Sequence, residues 1–265
     1  MTAAIVIPAR YASTRYPGKP LVPLKGAGGQ AKALIQRSWE AARAVPGGAR
    51  VIVATDDDRI ADAAKAFGAE VAMTPESSRN GTERCAAALD AVGDADVIVN
   101  LQGDALLTPP AFVGALLDAM AADPTIQVAT PALRATPEIH RRLLGDQREG
   151  RVGGTTVAIG ANGDALYFSK AVIPHIAPAA VGDPTLPVFL HVGVYAYRRA
   201  ALEAYTALSP TRLELLEGLE QLRFLEHGRP VRVVEVPAPG YDIWELNNPE
   251  DVAPIEAALA ARGLD

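Results

Sequence analysis

Arg10, Ser13, Thr14, Arg15, Gly18 and Lys19 fall within one short stretch that follows an apolar run, Ala3-Ala4-Ile5-Val6-Ile7-Pro8. Two guanidinium groups, an ammonium, two hydroxyls and the backbone N–H groups of a loop can be aimed together at one polyanion, most readily a triphosphate. The spacing is not the G-x-x-x-x-G-K-[ST] of a Walker loop. The alternative is a solvated turn, the ordinary fate of a charge run. Against it stands the balance of the chain, which is net −6 overall yet reversed in sign here. That reversal points to an anion site.

Four further segments carry chemistry. Gln102-Gly103-Asp104 ends the apolar run Val97-Ile98-Val99-Asn100-Leu101. Asp104 is either a Mg²⁺ ligand, since magnesium takes hard oxygens from one or two carboxylates plus phosphate, or a turn former. In Asn80-Gly81-Thr82-Glu83-Arg84, Thr82 reads as a helix cap. Arg84 would then lie in a first turn that disfavours cations, so a partner is expected to hold it there. Alternation along 191–198 puts His191, Gly193, Tyr195 and Tyr197 on one strand face, able to hydrogen-bond hydroxyls or to form a satisfied core. Glu217, Glu220 and Gln221 share a helical face, either solvated or facing a ligand.

These residues need elements that bring them to one rim. Strands are read at about 4–8, 50–54, 70–73, 97–101 and 127–131, with helices at about 32–44, 58–66, 82–92 and 110–121 between them. Such alternation indicates βαβ units around a mostly parallel sheet, whose ligands bind at the carboxyl ends of the strands. Farther along, strands are expected at 152–159, 163–168 and 190–197, with Asn162-Gly163 as a turn. A Pro-, Ala- and Gly-rich loop at 174–187, a helix at 213–226, a strand at 231–236 and a closing helix at 249–261 complete the pattern. No linker divides the chain. The reading is one α/β domain over 1–265, a mixed and mostly parallel sheet flanked by helices, with a β-rich insertion at about 134–190.

Composition narrows the function classes. With 265 residues, 49% hydrophobic and 21% charged, the chain can bury a full core. Its acidic balance argues against nucleic-acid or anionic-membrane partners, and no apolar run is long enough to span a bilayer. The first residues lack a basic and apolar leader pattern, so a cytoplasmic setting is expected. The single cysteine, Cys85, lies in a helical pattern and reads as a buried, inert thiol. Four histidines and one cysteine give no zinc spacing, and no G-x-G-x-x-G follows the first strand, which disfavours an oxidoreductase.

Taken in order, I-P-A-R-Y-A-S-T-R-Y-P-G-K-P-L, A-T-D, N-G-T-E-R, V-N-L-Q-G-D, A-L-Y-F-S-K-A-V-I-P, H-V-G-V-Y-A-Y-R and L-E-Q-L-R resemble the 3-deoxy-manno-octulosonate cytidylyltransferase (CMP-Kdo synthetase) family. The resemblance runs from Ile5 to about Val252. It implies a Rossmann-like nucleotidyltransferase fold, a homodimer, a role in lipopolysaccharide biosynthesis, and activation of a keto sugar acid with CTP and Mg²⁺. On that likeness Ala9, Arg10, Ser13, Arg15 and Lys19 hold the triphosphate, with Lys19 nearest the α-phosphate. Arg84 and Gln102 meet the cytidine, and Asp104 binds the metal. His191, Tyr195, Glu217, Glu220 and Gln221 face the acid acceptor. Lys19, Arg10 and Arg15 carry the catalytic charge.

The chain departs from the family in places. Ala105-Leu106-Leu107 stands where Glu-Pro usually follows Gln-Gly-Asp, and 151–157 differs from the family's Val-Lys-Val. Lys170 replaces an arginine, losing the bidentate fork. The family's second metal aspartate, in Val-Asp-Thr-Pro-Glu-Asp, has two possible equivalents here. Counting back from Pro249 gives Asn247, while aligning Gly240-Tyr241-Asp242 gives Asp242. The departures leave three readings: a cytidylyltransferase for Kdo or a close ulosonic acid, one for a different acid, and a non-catalytic CTP-binding relative.

Overall fold

The computed structural model describes residues 1–13 and 15–265; Thr14 of the basic loop lies outside the described residues. The first strand, β1 (Ala3–Ala9), is apolar on both faces and pairs in parallel with β4 (Arg50–Thr55) on one side and β6 (Val97–Leu101) on the other. The chain therefore leaves β1 to one side and returns to its other side. That reversal opens a crevice at the carboxyl ends of β1 and β6, where α/β sheets bind ligands.

The ten-stranded sheet runs β5 (Glu70–Met73), β4, β1, β6, β11 (Val194–Arg198), β7 (Val128–Arg134), β10 (Phe189–His191), β8 (Thr156–Ile159) and β9 (Ala165–Ser169), with β12 (Arg232–Val236) parallel to β7. Side chains alternate across it. Ile5, Ile7, Val53 and Val99 pack with α1 (Leu34–Arg43), α2 (Asp58–Ala66) and α4 (Pro110–Ala122). Val6, Ile52 and Ile98 face α3 (Gly81–Ala87), α6 (Arg199–Ala207) and α8 (Leu222–Glu226). A smaller apolar cluster joins Leu24 of β2 (Pro23–Lys25) and Leu34 to Leu106, Leu107, Leu246 and two residues of α9 (Val252–Ala261), Ile255 and Leu259. β2 pairs with β3 (Ala31–Ala33) in a separate two-stranded ribbon.

Three expected elements are divided or joined by others. The strand expected at 190–197 is two: β10 ends at His191, and β11 starts at Val194 to pair with β6. The helix expected at 213–226 breaks at Gly218, whose φ of +62° ends α7 (Arg212–Glu217) in a left-handed cap. The excursion at 134–190 carries a helix, α5 (Pro137–Arg148), beside the β8–β9 hairpin. Its start was legible: Thr136 Oγ1 accepts from the Ile139 N–H, and Pro137 occupies the first helical position.

Candidate active site

Gly103 sets the rim. A methyl group there would stand 2.7 Å from the Pro8 carbonyl oxygen, so only glycine lets the ends of β1 and β6 approach this closely. Ala9, Gln102 and Asp104 line one cavity of about 310 Å³ with Arg10, Ser13, Arg15, Lys19 and Arg84. The basic loop is braced from below. Gly18 adopts φ +70°, a methyl group on it would stand 3.1 Å from the Tyr11 ring, and its N–H donates to the Tyr11 carbonyl. This turn delivers Lys19, whose Nζ donates to Asp104 Oδ2 at 2.5 Å. Arg10 and Arg15 are exposed beside it, and Ser13 Oγ accepts from the Tyr16 N–H.

The second wall is the start of α3. Asn80, not Thr82, caps it, accepting from the Glu83 N–H. Thr82 instead meets the Tyr197 hydroxyl at 2.8 Å. Arg84 is buried, donating to Asp56 Oδ2 at 2.7 Å and Thr74 Oγ1 at 2.6 Å. That is the partner its position called for. A methyl group on Gly81 would stand 3.1 Å from both Asn100 Nδ2 and Gln102 Nε2. Asn100 is fully buried, and neither atom of its amide has a protein partner.

The acceptor-side candidates adjoin this wall. Tyr195 lies opposite Asn100 across β11 and β6. Its hydroxyl is pushed up by burial and by the charge of Glu220. His191, edge-on to Phe168 and tilted against Tyr195, bonds Thr130 Oγ1 at 2.9 Å, and burial lowers its imidazole to about 3. Glu220 accepts from the Thr82 N–H at 3.2 Å, and removal from water raises its carboxyl above the ordinary range. Gln221 is buried with an unpartnered Nε2. Glu217 separates from the group: it accepts from Ser169 Oγ at 2.7 Å and the Lys170 N–H at 3.0 Å, tying α7 to β9. Beneath the site Arg223 is buried between Glu214 and Glu83. Cys85 is buried and its thiol pushed up by burial.

The two positions aligned with a second metal aspartate part company. Asp242 is 57% exposed and pairs with Arg142 of α5 at 3.4 Å. Asn247 Oδ1 instead accepts from Arg15 at 2.9 Å. Between them lies a residue that sequence reasoning missed. Removal from water and the charge of Asp104 raise the Glu245 carboxyl to about 7, against Lys19, a hydrogen bond from Asn247 and Arg15. Its sequence signal is slight: an acidic residue between Trp244 and Leu246. Among the described residues no group of three or more His, Cys, Asp or Glu side chains could hold a metal. The donors present still suit Mg²⁺, which needs one or two carboxylates and takes its remaining oxygens from phosphate and water.

A family model for cytidylyltransferases matches residues 4–233. The chain is 48% identical to a 3-deoxy-manno-octulosonate cytidylyltransferase of Maricaulis maris (strain MCS10), over 99% of each chain. It is 38% identical to an 8-amino-3,8-dideoxy-manno-octulosonate cytidylyltransferase of Shewanella woodyi (strain ATCC 51908 / MS32), over 98% of this chain and 99% of that one. A solved CMP:2-keto-3-deoxy-manno-octonic acid synthetase complexed with CTP superposes with a TM-score of 0.84 at 36% identity, covering 99% of this chain and 100% of that one. With its fold and sequence in agreement with these proteins, the chain belongs to the 3-deoxy-manno-octulosonate cytidylyltransferase family.

Proposed function

We propose that this protein transfers CMP from CTP to the anomeric hydroxyl of 3-deoxy-manno-octulosonate, releasing pyrophosphate. The observation that carries this is the meeting of Lys19 with Asp104 on the rim of a cation-lined cavity, in a chain 48% identical to an enzyme named for that acceptor. Arg10, Ser13 and Arg15, with the backbone at Ala9, hold the triphosphate. Lys19 turns from Asp104 to the α-phosphate, and Arg84 and Gln102 meet the cytidine. The anomeric oxygen attacks phosphorus in line as the bond to the β-phosphate breaks, and no protein nucleophile is required. Positioning and fixed charge supply most of the rate. Asp104 would hold Mg²⁺, which when bound would neutralise charge on the phosphates.

His191, Tyr195, Glu220 and Gln221 form the acceptor wall, where a neutral imidazole, a phenol, a carboxyl raised by burial and a free amide donor suit a polyhydroxylated acid. Glu217 acts through the β9 segment it holds. The whole chain works as one nucleotidyltransferase unit in the cytoplasm, in lipopolysaccharide biosynthesis. It pairs as a homodimer through the excursion at about 134–190 and the adjoining α7. Support comes from Leu166 of β9 and from Leu215 and Leu216 of α7, exposed at 67%, 72% and 73%, large apolar side chains that an interface would cover.

The test is pyrophosphate release from CTP and Mg²⁺ with 3-deoxy-manno-octulosonate, its 8-amino-8-deoxy analogue and related keto acids. Preference for the first is expected. Preference for another acid would move specificity elsewhere, and CTP binding without release from any acid would make the chain a non-catalytic relative.

A further inference from the structure

Asp104 and Glu245 approach from chain segments far apart in sequence, and one small apolar cluster positions both. Asp104 directly precedes Ala105-Leu106-Leu107, and Glu245 directly precedes Leu246. Leu106, Leu107 and Leu246 pack together with Leu24, Leu34, Ile255 and Leu259, and Leu107 and Leu246 are fully buried. The two leucines that follow Ala105, the residue standing in place of the family's charge, thus anchor the segment that delivers Glu245. The Glu245 carboxylate is turned inward over the end of β6. A methyl group on Gly193 would stand 3.6 Å from Glu245 Oε1 and 3.8 Å from Gln102 Cγ.

Asn247 fits this arrangement as an amide. Its Oδ1 accepts from Arg15 Nη2 at 2.9 Å, and the same side chain acts to lower the Glu245 carboxyl against the pull of burial. An aspartate at this position would offer no donor and would set a third negative charge beside Glu245 and Asp104. An amide links the basic loop to Glu245 without that repulsion.

We propose that Glu245 is the second metal carboxylate of this protein, facing Asp104, and that Asn247 positions it rather than binding the metal. The proposal rests on the reading that Asp104 holds Mg²⁺. Asp242, exposed and paired with Arg142, takes no part. With Lys19 drawn to the triphosphate, Asp104 and Glu245 would each offer a carboxylate oxygen to a hard cation.

The experiment is Mn²⁺ binding to the full chain in the presence of CTP without acceptor, followed by electron paramagnetic resonance. Asp104→Asn, Glu245→Gln and Asp242→Asn are compared with the unaltered protein. Glu245→Gln is close to isosteric and removes a crowded charge, so its thermal midpoint should not fall. Glu245→Asp, which keeps the charge but shortens the reach, is the second variant. The expected result is a loss of Mn²⁺ affinity of about tenfold or more for Asp104→Asn and Glu245→Gln, a smaller loss for Glu245→Asp, and none for Asp242→Asn. Loss in Asp104→Asn with unchanged affinity in both Glu245 variants would overturn the assignment of Glu245 alone. Unchanged affinity in Asp104→Asn would overturn the metal reading on which it rests.

Discussion

Lys19 Nζ lies 2.5 Å from Asp104 Oδ2, and both side chains are largely withdrawn from solvent. A cation from the loop after β1 and a carboxylate from the end of β6 thus neutralise each other across the crevice at which the sheet reverses direction. On the proposed reading, binding of a triphosphate with its metal would separate them, giving Lys19 an anionic partner and Asp104 a cationic one before the reaction begins.

Lys19→Ala should therefore act on turnover more than on substrate binding. Arg10 and Arg15 remain to hold the phosphates, so the CTP dissociation constant should change little. The turnover number should fall by about 10²–10³-fold, as for loss of one preorganised charge-stabilising donor. Steady-state kinetics beside CTP titration separates the two, and an unaltered rate would remove Lys19 from the mechanism.

Gly103→Ala tests the rim. Its added methyl would meet the Pro8 carbonyl at 2.7 Å, and backbone at both sites must move apart. A displacement of about 1 Å at Gln102 and Asp104 should cost up to about 10²-fold in kcat/KM. Circular dichroism should show the fold retained. Full activity would mean that the rim tolerates a wider separation.

Arg223→Met tests the layer beneath α3. Arg223 is buried, donating to Glu214 at 2.8 and 2.5 Å and to Glu83 at 3.1 Å, with its guanidinium over the Tyr205 ring. Methionine leaves Glu214 buried without its counter-charge, which should destabilise the protein by about 3–5 kcal/mol. Denaturant unfolding measures it. A loss under about 1 kcal/mol would place the pair among exposed bridges of little weight.

His191 gives a pH signature. Burial lowers its imidazole from 6.5 to about 3, so between those values the unfolded chain holds a proton that the folded protein lacks. Stability contributed by the neutral ring is complete above pH 6.5 and declines as pH falls toward 3. His191→Gln, which does not titrate, should flatten the acid side of a plot of thermal midpoint against pH. An unchanged slope between pH 6.5 and 4 would assign it to other groups.

What was legible in the sequence is what local pattern encodes. The apolar run of β1, the strand ending in Gln-Gly-Asp, the α/β alternation and the basic loop all lie within short windows, and Asp58–Ala66 emerged with the bounds expected. The breaks were less legible because tertiary pairing decides them. His191 and Val194 belong to different strands because their segments lie on opposite sides of β7, β10 between β7 and β8 and β11 between β7 and β6. Gly218 was a visible signal, outweighed by the helical pattern on either side of it. The sequence offered Asp242 and Asn247 as equivalents of the second aspartate and did not single out Glu245. The inward position of Glu245 depends on Leu246 docking against Leu106 and Leu107, a contact between segments more than a hundred residues apart.

The most direct test of the transfer reaction uses 3-deoxy-manno-octulosonate labelled with ¹⁸O at its anomeric hydroxyl, incubated with CTP, Mg²⁺ and the protein, with products followed by ³¹P nuclear magnetic resonance and mass spectrometry. Attack by that oxygen on the α-phosphate predicts the label in the bridge between sugar and phosphorus, with unlabelled pyrophosphate. A nucleotide product without the label, or no sugar nucleotide at all, would contradict it.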